Sequence, residues 1–201
     1  MRPLLLALLL LSACRDWRGR VEPSRADAEP EQVAAGGEPI VQERKGHQVR
    51  LTPRATYRIT GYAVETSRRL LDEWDFAMPM DLALVWGPVA DPEVLRRLEF
   101  HLSGRYVSYR YQGAIPGAPA PVLASHISNN HLIPADEEVG RALDGIRIGD
   151  LVTLSGRLVD VAISDAAGRE VAAMRTSLTR DDVGSGACEN VYVEEVQVER
   201  P

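Results

Sequence analysis

The sequence predicts a mainly β domain of the α+β class, a small antiparallel barrel or sandwich with one or two short helices. Segments with apolar side chains at every second position recur from residue 56 onward, which is typical of half-buried strands. Only two short segments carry the start and stop signals of helices. A length of 201 residues with 45% hydrophobic side chains is sufficient for one such core.

Four segments have the pattern of strands: residues 56–64, 104–111, 149–161 and 190–199. In the last segment the apolar positions change parity across Glu194 and Glu195, which predicts a β-bulge there. A glycine inside the third segment, Gly156, predicts a bend or a bulge.

Two segments have the pattern of short helices. Residues 91–98 begin with Asp91 as a potential N-cap, followed at once by a proline. Residues 134–145 place apolar side chains four positions apart and end at Gly145, a residue typical of helix C-termini.

The stretch 149–159, GDLVTLSGRLV, resembles the turn, strand, glycine bend and second strand of small OB-type barrels. The resemblance covers about a dozen residues of the chain. It implies an OB-like fold and carries no information about function, because one fold hosts many activities.

The N-terminus predicts export. Arg2 precedes an apolar run of eight residues, 4–11, which is the pattern of a secretory signal peptide. A helix of that length spans only ~12 Å, whereas the hydrocarbon core of a bilayer is ~30 Å thick. The run is therefore too short to be a membrane anchor.

The end of this segment, Leu11-Ser12-Ala13-Cys14, resembles the lipobox of bacterial lipoproteins. The resemblance implies a signal peptide over residues 1–13, lipidation of Cys14, and anchoring to the membrane of the cell envelope. Arg15, rather than an aspartate, follows the cysteine, which favours the outer membrane with the protein facing the periplasm.

Residues 14–46 are predicted to be a flexible tether behind the lipidated cysteine. They contain three prolines and many charges and lack a sustained apolar period, so they offer little surface to bury. Residues 47–201 are predicted to form a single globular domain.

Charge and composition restrict the partners. The 29 acidic residues outnumber the 23 basic ones and give a net charge of −6, which argues against binding to nucleic acid. Aromatic residues make up only 5% of the chain, which argues against a surface for stacking carbohydrates or single-stranded bases. Beyond the membrane, the expected partner is an envelope protein or a small-molecule ligand.

Two polar segments are the candidate sites, and both are predicted to be loops. The first, 125–134, places His126, His131, Asn129 and Asn130 close together. The second, 176–190, contains the acidic and basic residues Arg180, Asp181 and Asp182 and the second cysteine of the chain, Cys188.

Three interpretations of these segments stay open. His126, His131 and Cys188 are side chains of the type that bind zinc. Alternatively, Cys188 is a nucleophile with a histidine as its base, the base being oriented by Asn129 or Asn130, and Asp181 lies close enough in sequence to take part. In the third interpretation these side chains bond to the loop backbone and Cys188 is a small buried hydrophobe.

The sequence contains no complete catalytic motif, and whether the protein is an enzyme stays undecided, with binding favoured over catalysis. The predicted function is a non-catalytic, lipid-anchored binding or assembly module of the envelope. Its contacts would come from Asn129, Asn130, Arg180 and Asp182. The alternative is a metal-dependent envelope enzyme built from the same two segments.

Overall fold

The computed structural model describes residues 16–68, 74–179 and 187–200. In chain order the strands of this part are β1 (Glu31–Ala34), β2 (Ile40–Arg44), β3 (His47–Arg68), β4 (Met80–Val85), β5 (Glu99–Ser103), β6 (Tyr106–Arg110), β7 (Ile127–Pro134), β8 (Leu151–Ser164), β9 (Glu170–Met174) and β10 (Glu189–Glu199). The α-helices are α1 (Pro92–Leu95), α2 (Ala120–Ser125) and α3 (Glu137–Asp144).

Five strands form a ring in the order β3, β4, β7, β10, β8 and back to β3. Neighbours in the ring are antiparallel, except for β7 and β10, which run parallel. The connection from β7 to β8 contains α3. This is a five-stranded Greek-key barrel of OB type, and the predicted mainly β, barrel-like fold is confirmed.

Alternation along the ring strands divides the apolar side chains into two clusters. The larger cluster fills the barrel and includes Ile59, Leu82, Leu132, Leu154 and Val191. A second, smaller cluster lies on the outer face of the same sheet, where residues 74–78 and strands β2 and β9 contribute side chains. Strands of the ring are therefore covered on both faces over part of their length.

The four predicted strands all exist. They correspond to β3, β6, β8 and β10, with β6 shorter than predicted and β8 beginning two residues later. Strand β3 is much longer than predicted because its two halves pair with different neighbours. The bulge in β10 is also confirmed, since the register with β8 shifts between Val193 and Glu195. Gly156 is the residue of β8 that pairs with Val193, directly beside this bulge.

Both predicted helices exist and are shorter than predicted. The Asp91 side chain accepts hydrogen bonds from the backbone N–H groups of Glu93 and Val94 and caps α1. Asp136 caps α3 in the same way. Helix α2 was not predicted, because no side chain caps its N-terminus and the residues before it are irregular.

The prediction of a flexible tether is wrong for the part of it that the structure describes, residues 16–46. Strands β1 and β2 both pair with β3, and Ala26 is buried. The backbone of Glu22 is held by the Tyr62 hydroxyl, which accepts from the N–H at 2.9 Å and donates to the carbonyl at 3.1 Å. The domain therefore begins well before residue 47.

The prediction of a loop over 125–134 is also wrong. Residues 127–134 form β7, a central strand of the ring that is buried almost throughout. A strand covered on both faces lacks the alternation that marks a half-buried one, so its polar residues suggested a loop. Within the part of the chain that the structure describes, no helix is long and apolar enough to cross a membrane.

The close approach of β8 and β10 gives a first testable prediction. A Cβ at Gly156 would lie 2.0 Å from the carbonyl oxygen of Tyr192, so Gly156→Ala should destabilise the protein by about 2 kcal/mol in urea unfolding. Gly140→Ala is the matched control, because its Cβ would meet only Pro134 at 3.8 Å within a helix. It should leave stability unchanged or raise it slightly. Equal stability of the two variants would contradict this account of the bulge.

Candidate functional site

A polar cluster lies on the outer face of the sheet where β4, β7 and β10 run side by side. The pairing register places Asp81 beside His131, and His131 beside Asn190. Cys188 directly precedes β10, two positions before Asn190, and so shares its face. Three adjacent strands thus bring together residues that are far apart in the sequence.

The two-residue turn between β5 and β6 covers this cluster. Arg105 in the turn is buried and has a φ of 67°, in the left-handed region. Its guanidinium donates to the Asp81 carboxylate at 3.2 Å and to the backbone carbonyl of Met78 at 3.0 Å. The backbone carbonyl of Arg105 in turn accepts from the Asn129 amide at 2.6 Å.

Asp81, His131 and Cys188 lie next to one another. The Nδ1 atom of His131 lies 2.8 Å from the Oδ1 atom of Asp81, and the interaction of His131 with Cys188 contributes to the pKa of the histidine. The side-chain amide of Asn129 donates to the Cys188 sulfur at 3.3 Å.

The environment of His131 favours its protonated form. Burial lowers the pKa of His131, but its interactions with Asp81 and Cys188 outweigh this effect and raise the pKa to about 9, from an ordinary 6.5. At neutral pH the buried imidazolium therefore lies against the buried carboxylate of Asp81 and near the sulfur of Cys188.

Thr176 and Ser177 hold the backbone on both sides of residue 189 through hydrogen bonds to Cys188 and Asn190. The N–H of Ser177 donates to the Cys188 carbonyl at 3.0 Å, and the N–H of Asn190 donates to the Thr176 hydroxyl at 3.0 Å. The N–H of Thr176 is itself anchored on the Asp160 carboxylate at 3.0 Å. The position of Cys188 is thus fixed at the edge of the barrel, where the residue is half-buried.

Several polar atoms of the cluster are buried without a hydrogen-bond partner among the described residues. They are Oδ2 of Asp81, Oδ1 of Asn129 and both amide atoms of Asn190. Buried polar groups are nearly always paired in folded proteins, so a concentration of unpaired ones is typical of a site rather than of a core.

The structure brings together three of the residues that the sequence singled out, His131, Asn129 and Cys188. It does not bring His126 to them. The Nε2 atom of His126 lies 3.0 Å from the Glu29 carboxylate, and its ring packs against Trp86. Five residues along an extended strand separate it from His131 by roughly 16 Å.

The remaining candidates divide into two groups. Asn130 points into the barrel, where its amide donates to the Leu82 carbonyl at 3.1 Å and to the Ser128 hydroxyl at 2.8 Å. The side chain hydrogen-bonded to the His131 ring is that of Asp81, whereas the amides of Asn129 and Asn130 donate to other partners. Arg180, Asp181, Asp182 and Cys14 lie outside the described residues.

Sequence reasoning missed Asp81 and Arg105. Asp81 is the one charged residue in the otherwise apolar strand β4, and that isolation was the available signal. No local signal marked Arg105, because its role depends on the hairpin folding over a distant strand.

Within residues 16–68, 74–179 and 187–200, no group of three or more His, Cys, Asp or Glu side chains could hold a metal ion. Comparison with family models, curated proteins and solved structures finds no match for this chain.

The raised pKa of His131 predicts how stability depends on pH. Its folded value of about 9 exceeds the unfolded value near 6.5, so its contribution is complete below about pH 6.5 and is lost as the pH rises to about 9. Urea unfolding of the intact protein should therefore show a falling free energy of unfolding across this window.

His131→Gln should flatten that fall, because it removes the titrating group. His126→Gln is the control, since it removes a histidine outside the cluster and should retain the slope. An identical slope in the wild type and in His131→Gln would show that His131 is not held protonated by the fold.

Proposed function

We propose that this protein is a thiol-dependent acyl-transfer enzyme in which Cys188 is the nucleophile. One observation carries the proposal: the His131 ring is hydrogen-bonded to the buried Asp81 carboxylate at 2.8 Å and also interacts with Cys188, so that a carboxylate, an imidazole and a thiol lie side by side. This is the arrangement by which cysteine and serine enzymes activate a nucleophile, and it recurs on unrelated folds.

Each residue has a defined role in this proposal. The Cys188 thiolate attacks, and His131 carries the proton. Asp81 fixes the ring orientation of His131 and stabilises its positive charge, and Arg105 holds Asp81. Three of these four groups lie on strands or in a tight turn, so little reorganisation is needed before reaction.

The reaction balances without a further reactant other than water. The sulfur of Cys188 forms a bond to the acyl carbon, the bond to the leaving group breaks, and the His131 imidazolium donates its proton to that leaving group. Water then attacks the thioester while His131 accepts its proton. The acid is released, and the thiolate–imidazolium pair is restored.

This proposal differs from both functions expected from the sequence. A metal-dependent enzyme with His126, His131 and Cys188 as ligands lacks support from the geometry, because His126 lies at the other end of β7. A non-catalytic binding or assembly module stays a prediction. It is the function favoured if Cys188 does not react.

The acyl-enzyme intermediate is the direct test. The full chain is mixed with p-nitrophenyl acetate and followed by nitrophenol release and intact mass. One acetyl group per chain should accumulate on Cys188, and Cys188→Ser should abolish it. His131→Gln should slow acetylation by roughly 100-fold or more, since general acid–base catalysis is worth that much.

His126→Gln is the matched control and should acetylate at the wild-type rate. All variants are first compared by circular dichroism, so that a folding failure is not read as a loss of activity. Acetylation at an equal rate in His131→Gln, or its absence from Cys188 in the folded wild type, would overturn the proposal.

We further propose that the protein works in the cell envelope, anchored through Cys14 and facing the periplasm from the outer membrane. The lipobox-like Leu11-Ser12-Ala13-Cys14 supports this, since lipidation would bind the chain to a bilayer. A lipidated Cys14 could not form a disulfide with Cys188, which is a free thiol.

Expression of the full chain in a bacterium with two membranes tests the anchor. The wild type should fractionate with the outer membrane and require detergent for release. Cys14→Ser should appear in a soluble fraction, because it removes the only thiol that the lipobox presents. Retention of Cys14→Ser in the membrane to the same extent would contradict the anchor.

A further inference from the structure

A second cleft lies away from the cysteine site, between the residues that follow α1 and the open end of the β5–β6 hairpin. Its cavity volume is about 760 Å³, and its lining includes Arg96, Arg97, Glu99, Tyr109, Arg110 and Tyr111. Arg110 lies five residues from Arg105 along β6, which separates the cleft from the cysteine site by roughly 16 Å.

The cleft concentrates positive charge on an acidic protein. Three arginines and one glutamate line it, whereas the whole chain carries a net charge of −6. Arg96 forms an ion pair with Glu93, but Arg97 and Arg110 form none among the described residues. Two exposed guanidinium groups are therefore available to bind an anion in the planar, bidentate manner that suits carboxylates and phosphates.

Two tyrosines line the cleft together with these arginines. The rings of Tyr109 and Tyr111 are stacked with centroids 6.3 Å apart and planes 22° apart. Phe100 contacts Tyr109 from the other strand and buries it partly against the core. Burial raises the pKa of Tyr109, so its phenol stays neutral and able to donate a hydrogen bond.

The geometry points to an acidic sugar as the ligand of this cleft: a pyranose ring that carries one carboxylate or phosphate. The arginines bind the anionic group, and the side chains of Tyr109 and Tyr111 pack against the apolar face of the sugar ring. Glu99 accepts hydrogen bonds from hydroxyl groups, and its charge disfavours a polyphosphate. This inference is independent of the acyl-transfer proposal, since the two sites share no residue.

Calorimetric titration of the full chain tests this inference, with trigalacturonate and glucose 6-phosphate as the two acidic probes. Maltotriose is the neutral sugar, and inorganic phosphate is the anion without a ring. At least one acidic sugar should bind saturably and more than 10-fold more tightly than maltotriose or phosphate. Comparison of the two acidic probes distinguishes a carboxylate ligand from a phosphate ligand.

Matched variants locate the binding. Arg97→Gln with Arg110→Gln should weaken binding at least 10-fold, whereas Arg141→Gln, an exposed arginine on α3, should not. Tyr111→Ala should weaken binding, whereas Tyr106→Ala, an exposed tyrosine of the same strand outside the cleft, should not.

The inference is overturned if neither acidic sugar binds, or if binding survives the paired arginine substitution. It is also overturned if maltotriose binds as tightly as the acidic sugars, because the arginines would then contribute nothing. Inorganic phosphate that binds as tightly as both acidic sugars would exclude the role assigned to Tyr109 and Tyr111.

Discussion

The buried carboxylate of Asp81 is the interaction on which the polar cluster depends. It is fully buried, and removing a charge from water is costly unless partners compensate for it. Arg105 and His131 supply that compensation from two different elements. The β5–β6 hairpin, the covering segment at Met78 and the central strand β7 are thereby tied to one point on β4.

This arrangement connects stability with the proposed chemistry. The Asp81 charge that raises the pKa of His131 also holds its ring through the Nδ1 hydrogen bond. Asp81, His131 and Arg105 lie on strands or in a tight turn, so neighbouring elements set their positions. Both amide atoms of Asn190 are buried without a partner among the described residues, and Cys188 is half-buried.

Errors at the sequence level have a common physical cause, which is that pairing with distant residues overrides local composition. Residues 31–34 and 40–44 include charged side chains and lie close to prolines and glycines. They nevertheless form strands, because each segment pairs with β3. Polar residues in 127–134 suggested a loop, yet neighbours on both sides bury them. The low aromatic content of the whole chain argued against a stacking surface, yet Tyr109 and Tyr111 lie side by side.

The sequence by itself determined the β-rich class, four of the strands, two capped helices and the bulge in β10, because each depends on residues close together in the chain. It also singled out His131 and Cys188 by their chemistry. Only the tertiary structure decided that His131 meets Asp81 and lies near Cys188, because ring closure and the parallel pairing of β7 with β10 are contacts between remote segments. Local patterns carry no information about such pairings, so Asp81 and Arg105 became visible only in the fold.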